Sequence, residues 1–182
     1  MSFTPHTIDP TTDLELVREV PVAPELVWRA WTEPELIVQW FTPKPWVTTE
    51  AEVDLRPGGI FRTAMKGPDD AEKGGFELED HDHDHDHADD DDHGGSGCVL
   101  EVIPNERFVW TAALGPGFRP QASDMPFTAI LELAPTPSGG TRYRAIAMHQ
   151  EPEAAKKHDE MGFHQGWGAS LDQLVELMSS LA

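Results

Sequence analysis

The chain has 182 residues, suited to one domain with a buried core, and its 38% hydrophobic content with six tryptophans fits a globular protein. Its formal net charge is -20, and residues 69–93 carry thirteen acids against one lysine, so -12 of that charge is local. Without clustered Lys and Arg to meet a phosphate backbone, nucleic acid is not an expected partner.

Residues 1–13 are polar and punctuated by proline, and read as a flexible arm. They have no basic region followed by an apolar run, so no signal peptide is expected. No run of 18 apolar residues occurs, so no membrane partner is expected and the expected location is cytoplasmic. The single cysteine, Cys98, excludes an intramolecular disulfide and reads as a small apolar strand residue.

"LELVREV" (14–20) reads as a first strand. Pro24 opens a helix over 23–31, with Leu26, Val27, Ala30 and Trp31 on one face. Thr32 and Glu35 have capping-box spacing and predict a second short helix over 33–41. "VTTEAEVD" (47–54) alternates, which places Val47, Thr49, Ala51 and Val53 inside and Thr48, Glu50 and Glu52 outside. Residues 58–66 predict the next strand.

An acidic, histidine-rich loop, taken as residues 69–97, follows. Beyond it, "GCVLEVI" and "RFVWTAAL" flank a tight Pro104-Asn105-Glu106 connection, and "FTAILELA" and "TRYRAIAMH" flank "PTPSGG". Both pairs predict antiparallel neighbours. In the closing helix Phe163, Trp167, Leu171, Leu174, Val175 and Met178 form one apolar face. Such a face needs a partner, and a curved antiparallel sheet is the one on offer. The predicted fold class is therefore α+β: about six to seven antiparallel strands, two short helices and a long C-terminal helix over the sheet, in a single domain from residue 14 to 182.

Four segments, "PELVWRAWTEPELIVQWF", "DLRPGGIFRTAMKGPD", "EVIPNERFVWT" and "GFHQGWGASLDQLVEL", resemble the helix-grip superfamily (SRPBCC) of START domains, polyketide cyclases and Hsp90 ATPase activator C-terminal domains. The resemblance spans roughly residues 14–181 in the family's order. It implies a sheet gripping a long helix around an apolar cavity. Its members bind lipids, cyclise polyketides or assist chaperones, and no shared catalytic motif transfers to this chain. The loop between the third and fourth strands is swollen by about 25 residues relative to that pattern.

Within this frame the expected ligand is a lipophilic small molecule, held by Trp40, Phe41, Trp46, Phe61, Trp110, Tyr143, His149, Phe163 and Trp167. If Arg142 and Arg144 face solvent, Tyr143, Ala145, Ala147 and His149 face inward. The two alanines and the helix glycines Gly162, Gly166 and Gly168 then suggest close packing or open space. An enzyme using the same cavity is the first alternative, with His149 as general acid or base and Glu160 as its orienting partner. A chaperone-activator type of protein-interaction module is the second. No cofactor is required by either reading. His149, His158 and His164 would make a metal site only by converging.

The loop carries "EDHDHDHDHADDDDHGG" (79–95). His81, His83, His85, His87 and His93 stand among aspartates, and in extended chain the first four share a side. Imidazoles at that density suit Zn or Ni, with the neighbouring acids adding charge and hydrogen bonds to the rings. The loop is read as an accessory to a domain whose main site lies elsewhere.

Overall fold

The computed structural model describes residues 2–68 and 93–182. The order of elements is β1 (Asp13–Val20), α1 (Pro24–Thr32), α2 (Pro34–Trp40), β2 (Val47–Val53), β3 (Ile60–Lys66), β4 (His93–Ile103) and β5 (Arg107–Thr111). Two-residue strands β6 (Leu114–Gly115) and β7 (Arg119–Pro120) follow, then β8 (Phe127–Pro135), β9 (Thr141–His149), α3 (Pro152–Glu160) and α4 (Phe163–Leu181). Seven strands form one sheet in the order β1-β9-β8-β5-β4-β3-β2, antiparallel throughout. It curls into a half-barrel over which the helices pack.

Local chemistry explains most of these elements. Pro24 and Pro34 sit in the first turns of α1 and α2, where a missing N–H costs nothing. The expected capping box does not form: Thr32 closes α1, its hydroxyl donates to the Trp28 carbonyl, and Glu33 is the N-cap of α2 without a side-chain bond. Glu33 instead pairs with Arg29 one turn earlier. The alternation expected in β2 is also broken. A bulge between Thr48 and Glu50 turns Thr48 inward, where it meets Thr42 at 2.5 Å, and leaves Val47 and Thr49 exposed. A second register shift, between Val99 and Glu101, adds to the bending of the sheet.

Residues 93–97 belong to β4, not to the loop, because His93 to Gly97 pair in sequence with Met65 to Phe61 of β3. Ladder bonds override the weak strand preference of Gly94, Gly95 and Gly97 there. The remainder of the loop, with His81, His83, His85 and His87, lies outside the described residues.

The core lies on the inner face. Trp28, Trp31, Ile37, Trp40, Phe61 and Phe108 from the helices and sheet meet Leu171, Leu174 and Met178 of α4. Phe163 is also buried on α4, while Trp167 and Val175 are half-buried. Tyr143, Ala145, Ala147 and His149 all face inward, as their alternation predicts. Gly162 caps α4 at φ 95°, a conformation glycine alone adopts without strain. The other helix glycines need a different explanation from close packing. A Cβ at Gly166 would meet nothing within 4 Å, and one at Gly168 only the tip of Arg18.

The outer face is also covered. The segment before β1, read from sequence as a loose arm, lies on it: Ile8 packs on Val109, Ile130 and Ile146. His6 N–H donates to Glu132 at 2.8 Å, and Arg144 donates to the His6 carbonyl at 3.0 Å. The inward/outward alternation of β5, β8 and β9 leaves this second apolar stripe, and the arm removes it from water. Among the described residues no helix is long and apolar enough to cross a membrane.

Candidate functional site: an aromatic row ending in a histidine pair

Strand register sets the site. Phe127, which opens β8, lies opposite His149, which closes β9, and Trp110 lies opposite Ala129. From the helical layer, His158 of α3 and Phe163 and Trp167 of α4 come down on the same end of the sheet. Phe127 is the hub, with ring centroids 5.5 Å from Trp110, 5.1 Å from His158, 6.1 Å from His149 and 6.1 Å from Trp167. Phe163 stands 4.7 Å from Trp167 and 5.3 Å from His158. On the other side Trp110 stacks on Phe61 at 4.5 Å, and Phe61 leads to Phe41 at 6.0 Å. That stack crosses β4 at Gly97, where a Cβ would come within 2.6 Å of the Thr111 carbonyl. Trp110, Phe127 and Trp167 remain partly exposed, while Phe61 and Phe163 are fully buried.

Polar groups in this row are few and specific. The Thr12 carbonyl accepts from both the His149 backbone N–H at 3.0 Å and the His149 ring Nδ1 at 2.9 Å. His149 Nε2 in turn lies 2.9 Å from His158 Nδ1. A carbonyl only accepts, so Nδ1 of His149 carries a proton. Both rings are buried. Burial foremost, then the facing His149, pushes His158 down to about 4, with the Asp159 carboxylate opposing. Two indole N–H groups, of Trp31 and Trp110, are buried with no hydrogen-bond partner. Trp40 shows the usual outcome, donating to the Ala30 carbonyl at 2.9 Å. The Trp31 N–H lies on the side of the Tyr143 phenol without reaching hydrogen-bond geometry; burial pushes that phenol up, opposed by Trp31 and Arg18.

The residues expected to bind ligand therefore divide. Phe61, Trp110, His149, Phe163 and Trp167 come together in the row, with Phe41 at its far end. Trp40 and Tyr143 are each 2% exposed and belong to the central core. Trp46 is exposed just before β2. Glu160 does not orient His149: it is on the solvent side of α3, 3.8 Å from Lys156, and a backbone carbonyl and a second imidazole take its place. His164 does not join the pair either, bonding Asp159 and the Glu15 carbonyl at 3.2 Å each. No group of three or more His, Cys, Asp or Glu among the described residues is placed to hold a metal ion. Sequence reasoning missed Phe127 and gave His158 no part in the pocket. Phe127 had a signal, standing two residues before the inward Ala129. His158 had one too, since it shares the buried side of α3 with Ala155.

Two surface clefts lie away from the row. One, of about 300 Å³, is on the outer face between His6, Glu132, Arg142 and Arg144; the other, of about 480 Å³, lies beside α2 and β2.

With an antiparallel half-barrel gripping a C-terminal helix, the molecule is a helix-grip protein. The family model described as activator of Hsp90 ATPase homolog 1-like protein matches residues 21–78 and 74–179, and the chain belongs to that family. A crystal structure of a Nitrosomonas europaea protein is 45% identical over 95% of this chain and 97% of its own, with a TM-score of 0.80. Proteins of Rhodobacter sphaeroides (21% identity, TM-score 0.73, 97% and 98% covered) and Mycobacterium smegmatis (20%, 0.69, 94% of each) share the fold. Among functionally curated proteins none matches.

Proposed function

We propose that this protein binds a lipophilic small molecule at the aromatic end of its sheet–helix interface, against Trp110, Phe127 and Trp167. The observation that carries this reading is the Trp110 N–H, buried without a partner in a row of half-exposed rings. An orphaned buried donor costs about 1–3 kcal/mol, and a ligand acceptor would remove that cost. Few polar points in an apolar aromatic wall are what a small-molecule site requires. The family fold is compatible with such binding. A catalytic variant of this reading would use His158 and not His149, since both ring nitrogens of His149 are already engaged.

The test is titration with 2-methoxynaphthalene, followed by tryptophan fluorescence and thermal unfolding. Saturable quenching with a raised Tm is expected, weakened in Trp167→Ala and Trp110→Ala. A linear, non-saturating response identical in all three chains would overturn the reading.

A further inference from the structure

The row contains an unused acceptor as well as an unused donor. With Nδ1 of His149 donating to Thr12, the neutral ring has its lone pair on Nε2. His158 must then donate to it from Nδ1, which leaves the lone pair of a neutral His158 on Nε2. No described residue bonds that nitrogen. The His158 ring that carries it is packed among other rings, with centroids 5.1 Å from Phe127, 5.3 Å from Phe163 and 6.2 Å from Trp167.

Resting on the ligand-binding reading above, we propose that His158 Nε2 is the polar anchor of the site, accepting a hydrogen bond from the hydroxyl of a flat, uncharged, phenol-like ligand. The ligand's rings lie against Trp110, Phe127 and Trp167, and an oxygen at its other end accepts from Trp110 Nε1. Phe127 packs on both rings that carry the anchors, 5.5 Å from Trp110 and 5.1 Å from His158 between centroids, so the ligand proposed to reach both is about two fused rings long. A carboxylate or phosphate is disfavoured, because it would meet a lone pair where it needs a donor and, among the described residues, no Lys or Arg stacks on these rings. The relay to Thr12 fixes the acceptor: it ties His158 through His149 to the backbone just before β1, so the tautomer does not depend on solvent.

The experiment compares 2-naphthol with 2-methoxynaphthalene, alike in shape and differing in the hydroxyl proton. At about pH 7.5, where His158 is neutral, the wild-type chain should bind naphthol at least about tenfold more tightly, the factor that one hydrogen bond to an otherwise unpaired buried acceptor supplies. His158→Phe, which keeps a ring and removes the acceptor, should bring the two affinities together while leaving the ether bound. Should that variant fail to fold, ¹⁵N-edited NMR of the wild-type chain decides. His149 and His158 should both carry their proton on Nδ1, and naphthol, but not the ether, should shift the His158 Nε2 resonance. Equal affinity for both probes in the wild-type chain, or an unmoved Nε2 resonance, overturns the anchor and leaves the aromatic site standing. Failure of both probes to bind overturns the site and the anchor together.

Discussion

Two buried polar clusters sit on opposite faces of the same sheet, and they are built differently. On the outer face Glu132 accepts from Arg107 and the His6 N–H through one oxygen and from Arg144 through the other; Arg144 also binds Glu15, and Arg107 also binds Glu101. Three carboxylates meet two guanidinium groups there, and both oxygens of Glu132 are used. On the inner face burial keeps His158 uncharged, and the chain of bonds through the histidine pair stops at an open nitrogen. A closed network holds parts together, here the arm onto β5, β8 and β9. An open one retains capacity for something else, which is why the inner cluster and not the outer cleft is the candidate site.

The comparison predicts its largest effect on the outer face. Glu132→Ala leaves two largely buried guanidinium groups without their shared partner, and should destabilise the fold by about 3–5 kcal/mol in urea unfolding. It should leave 2-methoxynaphthalene affinity unchanged once the folded fraction is accounted for. A loss below about 1 kcal/mol would mean that the network is no more than a surface ion pair.

A smaller effect is expected from the inner cluster, and it depends on pH. His158 titrates at about 4 in the fold and near 6.5 when unfolded, so between these values the unfolded chain takes a proton that the fold refuses. Its contribution is therefore fully present above about pH 6.5 and is lost as pH falls to about 4, on the order of 2–3 kcal/mol. His158→Gln should flatten that part of the stability curve relative to wild type. Parallel curves for the two chains would contradict the depressed value.

Least effect on the fold is expected from the histidines of the acidic stretch. We expect Zn or Ni to bind His81, His83, His85, His87 and His93 at about pH 7.5 and to be released near pH 5.5 as protons compete. Replacing all five by Gln should abolish binding while unfolding and probe affinity stay as they were. Retained Zn affinity in that variant would mean that the metal ligands lie outside these five histidines.

Much of the fold was legible from local patterns. The apolar spacing of 163–178 placed α4 and its buried face, and alternation in 141–149 put Tyr143 and His149 inward, because side-chain period follows directly from backbone geometry. Failures came where a single long-range contact outweighed the pattern. The bulge at Thr48 answers to the Thr42 hydroxyl. The N-terminal arm is held by Glu132 and Arg144, more than a hundred residues away.

The candidate site divides the same way. Periodicity put His149, Phe163 and Trp167 on the inward or apolar side of their own elements, and composition made Trp110 a candidate for the same interior. They also confined the extreme charge to one loop, since sequence alone counts charge. Only the tertiary structure decided that His149 pairs with His158 and Thr12 instead of Glu160, and that Trp110 ends with its N–H unpaired. Hydrogen-bond partners a few ångströms apart are chosen by how strands register and how α3 settles on them, and no spacing along the chain encodes that distance.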